Sequence, residues 1–234
     1  MPLAAPHNAV HPTLAAILAG VTCHGVTPGL ADGVLAPMSA EALVALIADL
    51  RRDDAALRRV GAVSYLHANG FYKLPIYDDA VGLRVRLHFW PGDSSAAEHI
   101  HGHRWHMASR VFLGALHSER WDAAPDEAGD WDGFRYDKRG GEATVRPLGC
   151  HRARCTVTQI HHAGAAYHMV AGDLHRIVQP PGAPALTLMV QSAPLSTHNF
   201  MLARGAPDVA VRPLGAAAVG ELLGAIAHRL EEEL

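Results

Sequence analysis

Apolar residues near both ends of the chain recur at helical spacing. Residues 13–21 predict a short helix, and residues 40–60 predict a longer one with charges on the face opposite its apolar side. Ser39 is a suitable N-cap for the longer helix. Residues 215–234 have the pattern of an amphipathic helix. We therefore expect helices at the N-terminus and a helix at the C-terminus.

From residue 65 the pattern changes to short strands. In residues 81–90 apolar positions alternate strictly with polar ones, which predicts a strand with two different faces. The acidic stretch 122–132 contains Gly and Pro and predicts an exposed loop. Glycine, proline and aspartate clusters separate further predicted strands at 109–116, 141–145, 155–161, 164–170, 175–178 and 185–191. Helices followed by many short strands favour a mainly β protein, an antiparallel sandwich or barrel with helical additions.

Composition and charge narrow the class of protein. The 234 residues are 49% hydrophobic, enough for one domain with a buried core. A net charge of −3 without a Lys/Arg run gives no indication of nucleic-acid or membrane-surface binding. The apolar stretch 14–21 lacks the basic flank of a signal peptide, and Cys23, Cys150 and Cys155 form no CxxC pair. We expect a cytoplasmic protein without a membrane span, and the oligomeric state stays open.

Histidines supply the candidate chemistry. Four of the 17 histidines, His99, His101, His103 and His106, fall within eight residues, and His175 follows a Gly-Asp turn. The first three project to one side if their segment is extended. Neutral imidazole suits iron, zinc, copper or nickel, and a mononuclear catalytic site needs about three protein ligands. Two histidines of this segment and His175 therefore predict one metal site.

Other polar residues are candidates for contacts with a substrate. Arg84, Arg86 and His88 share the polar face of the strand 81–90. If that face lines a barrel, an arginine can pair bidentately with a carboxylate, whereas the alternative is a solvated face. His99 is a candidate substrate contact and His106 a candidate catalytic proton carrier, although either can instead be exposed. Roles stay open for His161, His162, His168 and His198.

The histidine segments resemble the two motifs of the cupin superfamily. The first motif there runs Gly, a short spacer, His-x-His, three or four residues, often Glu, six residues and Gly. Here Gly92 precedes the histidines and Gly114 follows them. The second motif contains Pro/Ala-Gly-Asp-x-His, and residues 171–175 read Ala-Gly-Asp-Leu-His. The resemblance implies a cupin-type antiparallel β-barrel, that is, a double-stranded β-helix.

The spacing within the first motif distinguishes two possible ligand sets. Counting back from the second glycine favours His101 and His103, with His175 as the third ligand. Met107 then stands where the family often has Glu, which implies a site of three histidines. The alternative register uses His99 and His101, and it stays open.

A closer resemblance is to the thiol dioxygenases, the cysteine dioxygenase branch of the cupins. Those enzymes hold Fe(II) with three histidines, bind an amino-acid thiol to it and add dioxygen to sulfur. The resemblance covers roughly residues 65–200, and the similar stretches are 64–69, the strand ending at Trp90, 174–178, 188–194 and 197–200.

This resemblance also assigns roles to individual residues. It implies that Tyr65 hydrogen-bonds oxygen or substrate near the metal. Gln191 stands in a family active-site position that usually holds tyrosine, and it is a candidate for binding a polar ligand. His67 stands where the family has a carboxylate-binding arginine, and the cross-linking cysteine has no counterpart near Ala108. The chain therefore keeps the family's metal ligands and lacks much of its cysteine-recognition set.

Together these patterns predict a helical extension over 1–62, a cupin barrel over 63–212 and a C-terminal helix over 213–234. The expected function is that of a mononuclear non-haem Fe(II)-dependent oxygenase acting with O₂ on a small polar, amino-acid-like or thiol substrate. Two alternatives are a non-redox isomerase, lyase or hydrolase using Zn, Mn or Ni, and a small-molecule-binding cupin without turnover.

Overall fold

A computed structural model describes residues 10–92, 99–125, 129–139 and 142–234. Its helices are α1 (Pro12–His24), α2 (Pro28–Leu30, continued by a π-helical turn over Ala31–Leu35), α3 (Ala40–Arg52), α4 (Asp54–Val63) and α5 (Ala216–Glu232). No single helix in this part of the chain is long and apolar enough to span a membrane, although Pro28–Leu35 and Ala40–Arg52, joined at an 88° bend, reach that length and composition together.

The single helix predicted over 40–60 is wrong, because two helices occupy this stretch. Ser39 caps α3 as expected, and its hydroxyl accepts from the N–H of Ala42 at 3.2 Å. Asp53 then leaves the helical region, with φ −101° and ψ 98°. Its carboxylate accepts from the N–H groups of Ala55 and Ala56, at 2.8 and 3.0 Å, and so caps α4. A local side-chain hydrogen bond thus outweighs the apolar periodicity that continues through the break.

The strands follow Ser64 and are mostly antiparallel partners of one another. They are β1 (Tyr65–His67), β2 (Tyr72–Asp78), β3 (Arg84–Trp90), β4 (Ile100–His101), β5 (Met107–Pro125), β6 (Trp131–Arg139), β7 (Glu142–His162), β8 (Ala166–Met169), β9 (Leu174–Ile177), β10 (Ala185–Gln191), β11 (His198–Ala203) and β12 (Val211–Pro213). The strand predicted over 185–191 has the predicted bounds. The strands predicted over 141–145 and 155–161 are parts of one strand, β7.

The loop predicted over 122–132 is only partly correct. β5 continues to Pro125 and β6 begins at Trp131, while residues 126–128 lie outside the described residues. The indole of Trp131 packs edge-on against that of Trp121 at 5.5 Å between ring centroids, and Trp131 is buried. This aromatic contact extends the strands through a stretch whose acidic composition predicted a loop.

Two antiparallel sheets share β5 and close into a barrel. The strands pair in the order β12-β1-β2-β3-β10-β5-β7-β6-β11-β4-β9, and β9 also pairs with β5. Leu87 and Leu188 on the outer face of β3 and β10 form one core with Leu43 of α3 and Leu223 of α5. The alternate residues of the same strands, such as Met189, point into the barrel. The fold is the predicted mainly antiparallel β-barrel with N-terminal helices and a C-terminal helix, whereas the exact division at 62/63 and 212/213 stays a prediction.

Candidate metal centre

His101, His103 and His175 converge inside the barrel. His101 on β4 lies directly opposite His175 on β9, and His103 follows two residues later. One ring nitrogen of each lies within 4.8 Å of those of the other two. The Nε2 atoms of His103 and His175 are 2.9 Å apart. This group of three histidines could bind a metal ion.

A backbone contact orients the ring of His101. Its Nδ1 lies 2.8 Å from the carbonyl oxygen of His99. Because a carbonyl oxygen can only accept, Nδ1 carries the proton and the lone pair of Nε2 is free. His99 therefore supports the neighbouring ligand through its main chain, and its own side chain is half-buried.

His103 lies where the segment around Gly102 passes close to the segment around Gly172. The N–H of Gly172 donates to the carbonyl of His103 at 3.0 Å. A Cβ placed on Gly102 would lie 3.2 Å from the carbonyl oxygen of Gly172, closer than an ordinary van der Waals contact. The ring of His103 stacks on the indole of Trp105, with 5.3 Å between centroids and 17° between planes. A glycine between the two histidines thus lets the two segments approach closely.

Burial keeps the three imidazoles neutral. It lowers the pKa of His101 to about 4 and the pKa values of His103 and His175 well below their usual range. The positive charge of Lys73 further lowers the pKa of His101 and of His103, and Arg86 acts on His103 in the same direction. At neutral pH all three rings therefore keep a lone pair. Three neutral nitrogen ligands fit one divalent iron, zinc, nickel or copper ion.

An ion pair holds the turn that leads to His175. Arg120 lies opposite His175 in the pairing of β5 with β9. Its guanidinium donates to the carboxylate of Asp173 at 2.8 Å and to the carbonyl of His168 at 3.3 Å. The Gly-Asp turn is therefore tied to the strand beside it, which limits movement of the third ligand.

Arg86 points into the barrel and is 1% exposed. Its Nε and Nη2 atoms are buried and have no hydrogen-bond partner among the described residues. The guanidinium carbon lies 5.1 Å from the centroid of the Trp105 indole, the same indole that stacks on His103. Burial lowers the pKa of Arg86 to about 9, so the group stays cationic at neutral pH. A buried cation with free donors thus lies beside the group of three histidines.

The two neighbours of Arg86 on β3 differ from it. Arg84 lies at the rim, with its side chain 42% exposed and its Nε 3.0 Å from the carboxylate of Asp78. His88 packs against Phe71, with 5.1 Å between ring centroids, and its buried Nε2 has no partner in the described part of the chain. Burial lowers the pKa of His88 well below its usual range. The predicted polar face of β3 therefore turns inward at Arg86 and His88.

Tyr65 and Gln191 lie near the same arginine residues. Burial raises the pKa of Tyr65, and the positive charges of Arg86 and Arg84 oppose this effect. Gln191 lies opposite Arg84 in the pairing of β3 with β10. Its Nε2 donates to the carbonyl of Gly82 at 3.2 Å, and its buried Oε1 has no partner among the described residues.

His106 turns towards the second motif. Its Nδ1 accepts from the N–H of Ala171 at 3.0 Å, and its ring lies 6.2 Å from that of His168. His168 in turn approaches the carbonyl of Val26 at 3.2 Å. The structure thus gives His106 a contact with the main chain, and the catalytic role assigned to it from the sequence stays a prediction.

The sequence patterns did not identify Lys73 as part of the site. Lys73 lies on β2 opposite His88, and its Nζ is 5.6 Å from the ring of Tyr65. No strand was predicted over residues 72–78, where Pro75 interrupts the pattern. Alternation along a strand read over residues 72–78 would have placed Lys73 on the face opposite Tyr72 and Leu74, which belong to the outer core.

Comparisons with known proteins find distant similarities among solved structures. No family model and no curated protein matches the chain. The structure of hydroxypropylphosphonic acid epoxidase from S. wedmorenis is 13% identical with a TM-score of 0.34, over 53% of this chain and 51% of that one. The polyketide cyclase RemF from Streptomyces resistomycificus is 13% identical with a TM-score of 0.34, over 61% and 75%. A DMSP lyase is 12% identical with a TM-score of 0.31, over 55% and 51%.

The chain thus spans about half the length of the epoxidase and lyase structures. At these values the similarities transfer neither a reaction nor a substrate to this chain.

Proposed function

We propose that the chain is a mononuclear non-haem Fe(II)-dependent oxygenase of the thiol-dioxygenase-like type, acting with O₂ on a small polar, amino-acid-like or thiol substrate. The observation that carries the proposal is the group of three neutral histidines inside the barrel, of which His175 is buried and His101 and His103 are half-buried. Three protein ligands leave coordination positions for other molecules. A bound iron would supply one-electron and dioxygen chemistry at those positions.

The protein's contribution is to orient the ligands and to exclude water. The carbonyl of His99 fixes the ring of His101, and the Trp105 indole covers one side of His103. Phe71 and Trp90 stack 4.9 Å apart inside the same barrel. Apolar walls of this kind keep bulk water from the reacting groups and strengthen the electrostatic interactions within.

The environment of Arg86 favours a substrate that carries an acidic group. In a guanidinium, Nε–H and one Nη–H point in the same direction and form the edge that binds a carboxylate bidentately. Both donors of this edge are buried without a partner among the described residues. A buried donor without a partner costs about 1–3 kcal/mol, and an incoming carboxylate removes that cost. Arg86 therefore takes the role that the thiol dioxygenases give to an arginine at the position of His67.

Other groups around Arg86 complete the proposed substrate site. The buried Oε1 of Gln191 can accept from an ammonium or hydroxyl group of the substrate. His88 and Tyr65 line the same part of the barrel, and Arg84 at the rim attracts an acidic molecule towards it. An amino acid or hydroxy acid that carries a thiol satisfies the arginine and the glutamine together.

Metal analysis joined to oxygen uptake tests the proposal. Iron-loaded protein is placed in an oxygen electrode with a panel of thiols, amino acids and aromatic acids, and we expect O₂ consumption with at least one acidic member. Anaerobic turnover with Zn(II) or Mn(II) would instead place the chain among non-redox metal enzymes. If His175→Ala leaves the metal affinity of the purified protein unchanged, the proposed metal site is wrong.

The role of Arg86 has its own test. Arg86→Gln is expected to weaken binding of the active acid by roughly 100-fold or more, because a charge-assisted bidentate pair is lost. Arg84→Gln is the matched control on the same strand and should change binding by less than about tenfold, because the Arg84 side chain is 42% exposed at the rim and already lies against the carboxylate of Asp78. Equal effects of the two substitutions would contradict the proposed role of Arg86.

A further inference from the structure

His106 lies where three segments of the chain meet. It follows the first metal-ligand segment, and its Nδ1 accepts from the N–H of Ala171 in the turn before His175. Its own N–H donates to the hydroxyl of Ser192 at 3.1 Å, and its carbonyl accepts from the N–H of Ser192 at 2.9 Å. The segment after β10 therefore fixes the backbone of His106, while the ring reaches the second motif.

Within the described part of the chain, four contacts join residues 101–106 to residues 171–175. β4 pairs with β9 through His101 and His175, and the rings of His103 and His175 meet at Nε2. The N–H of Gly172 donates to the carbonyl of His103, and the N–H of Ala171 donates to the ring of His106. Next to them, residues 107–110 of β5 pair with residues 166–169 of β8. The contact of Ala171 is made to a side chain, so one substitution can remove it without changing the strand pairing.

We propose that His106 is a positioning residue that sets the distance between the two metal-ligand segments. Its ring nitrogen holds the turn at Ala171, four residues before His175, against the segment that carries His103. This inference goes beyond the proposed function, because it replaces a catalytic role for His106 by a structural role in metal binding. It rests on the proposed metal centre.

The hydrogen bond between Ala171 and His106 can be tested with side chains whose acceptor atom lies at different distances from Cβ. The amide oxygen of Asn lies two bonds from Cβ, as Nδ1 does in His, whereas the amide oxygen of Gln lies one bond further. His106→Asn should therefore keep the contact with Ala171, and His106→Gln and His106→Ala should lose it. Loss of a group that supports a ligand in this way typically lowers metal affinity by roughly 10–100-fold.

The measurement is the dissociation constant for Co(II), by competition with a chelator, together with the visible spectrum of the Co(II)-loaded protein. We expect His106→Ala and His106→Gln to bind Co(II) roughly 10-fold or more weakly with an altered spectrum, and His106→Asn to stay within about threefold of wild type. Ser192→Ala is the matched control, since it removes a hydrogen bond to the same residue without touching Ala171. It should leave the affinity within about threefold of wild type.

Several outcomes would overturn the inference. Unchanged affinity in His106→Ala would do so, and so would equal weakening in the Asn and Gln variants, because the acceptor position would then be irrelevant. If His106→Ala does not fold, the comparison of Asn with Gln decides. If the wild-type protein binds no Co(II), both the proposed metal centre and the positioning role of His106 are wrong. If the wild-type protein binds Co(II) and the His106 variants bind it equally well, only the positioning role of His106 is wrong.

Discussion

The Nε2 atoms of His103 and His175 lie 2.9 Å apart, although the two residues are 72 positions apart in the sequence. Desolvation inside the barrel lowers the pKa of both. A neutral imidazole has one N–H and one lone pair, so without a metal ion one Nε2–H can donate to the other Nε2. With the proton on Nδ1 in both rings, the two Nε2 lone pairs point at one place, where a metal ion can accept both.

This geometry predicts which histidines of the first segment hold a metal. His103→Ala should lower Zn(II) or Co(II) affinity by at least roughly 100-fold, because it removes one of three ligands. His99→Ala should change it by less than about tenfold, because the carbonyl that orients His101 remains. Isothermal titration of both variants measures the two constants, and stronger loss in His99→Ala would favour the alternative register.

Metal-free protein should lose stability as the pH falls from about 6.5 to 4. The folded-state pKa of His101 is about 4 and that of His88 is well below its usual range, whereas both titrate near 6.5 when unfolded. The unfolded chain therefore binds more protons over this window, and stability is complete above it. Each such histidine contributes a slope of about 1.4 kcal/mol per pH unit.

Urea unfolding across this pH range measures the slope. His88→Gln should reduce the slope by the contribution of one proton, about 1.4 kcal/mol per pH unit, since glutamine does not titrate. Identical slopes in wild type and His88→Gln would mean that His88 does not stay neutral in the folded protein.

Arg86, proposed to bind an acidic substrate group, should reduce the free energy of unfolding of the substrate-free protein. Arg86→Met replaces a buried cation with free donors by an apolar side chain of similar length, so the free energy of unfolding should rise by about 1–3 kcal/mol. Arg84→Met should change it by less than about 1 kcal/mol, because the Arg84 side chain is partly solvated and ion-paired with Asp78. Denaturant titration gives both values, and a less stable Arg86→Met protein would refute this expectation.

Position 114 favours glycine for two reasons, its positive φ and the close approach of Pro184. Alanine substitutions at Gly114 and Gly164 distinguish the two effects. The φ of Gly114 is +66°, and a Cβ there would lie 2.1 Å from the carbonyl oxygen of Pro184. Gly164 has φ +92° with nothing within 4 Å of such a Cβ. Gly164→Ala should cost about 1–2 kcal/mol for the backbone alone, and Gly114→Ala about 3 kcal/mol or more. Thermal or urea unfolding measures the loss of stability in each variant. Equal losses would show that the backbone around Pro184 moves away from the new Cβ without destabilising the protein.

The same glycine explains why the sequence predicted the ligand register. Gly114 is fixed by its contact with Pro184, so counting back from it reaches His101 and His103, which the structure brings together with His175. Counting forward from Gly92 does not distinguish the two registers, because its spacing fits neither histidine pair decisively. A position fixed by packing is thus the better reference.

Other features required three-dimensional information. The break at Asp53 depends on which carboxylate contacts form, and apolar periodicity does not record them. The contact of Arg86 with Trp105 joins a strand to a distant segment, and no local pattern encodes it. Lys73 was missed because proline interrupts its strand. Local propensity therefore predicted most elements, while the charges around the histidines followed from how the strands pair.

The ligand set has a further consequence for how the protein fills its site. If the site holds a divalent ion as proposed, three neutral imidazoles would leave its double charge uncompensated, beside the cationic Arg86. The proposed acidic substrate would reduce this excess of positive charge, so the metal ion and the acid would each bind more tightly when the other is present. Thermodynamic linkage requires the two enhancements to be equal. An affinity measured with either component alone would then understate the affinity for both together.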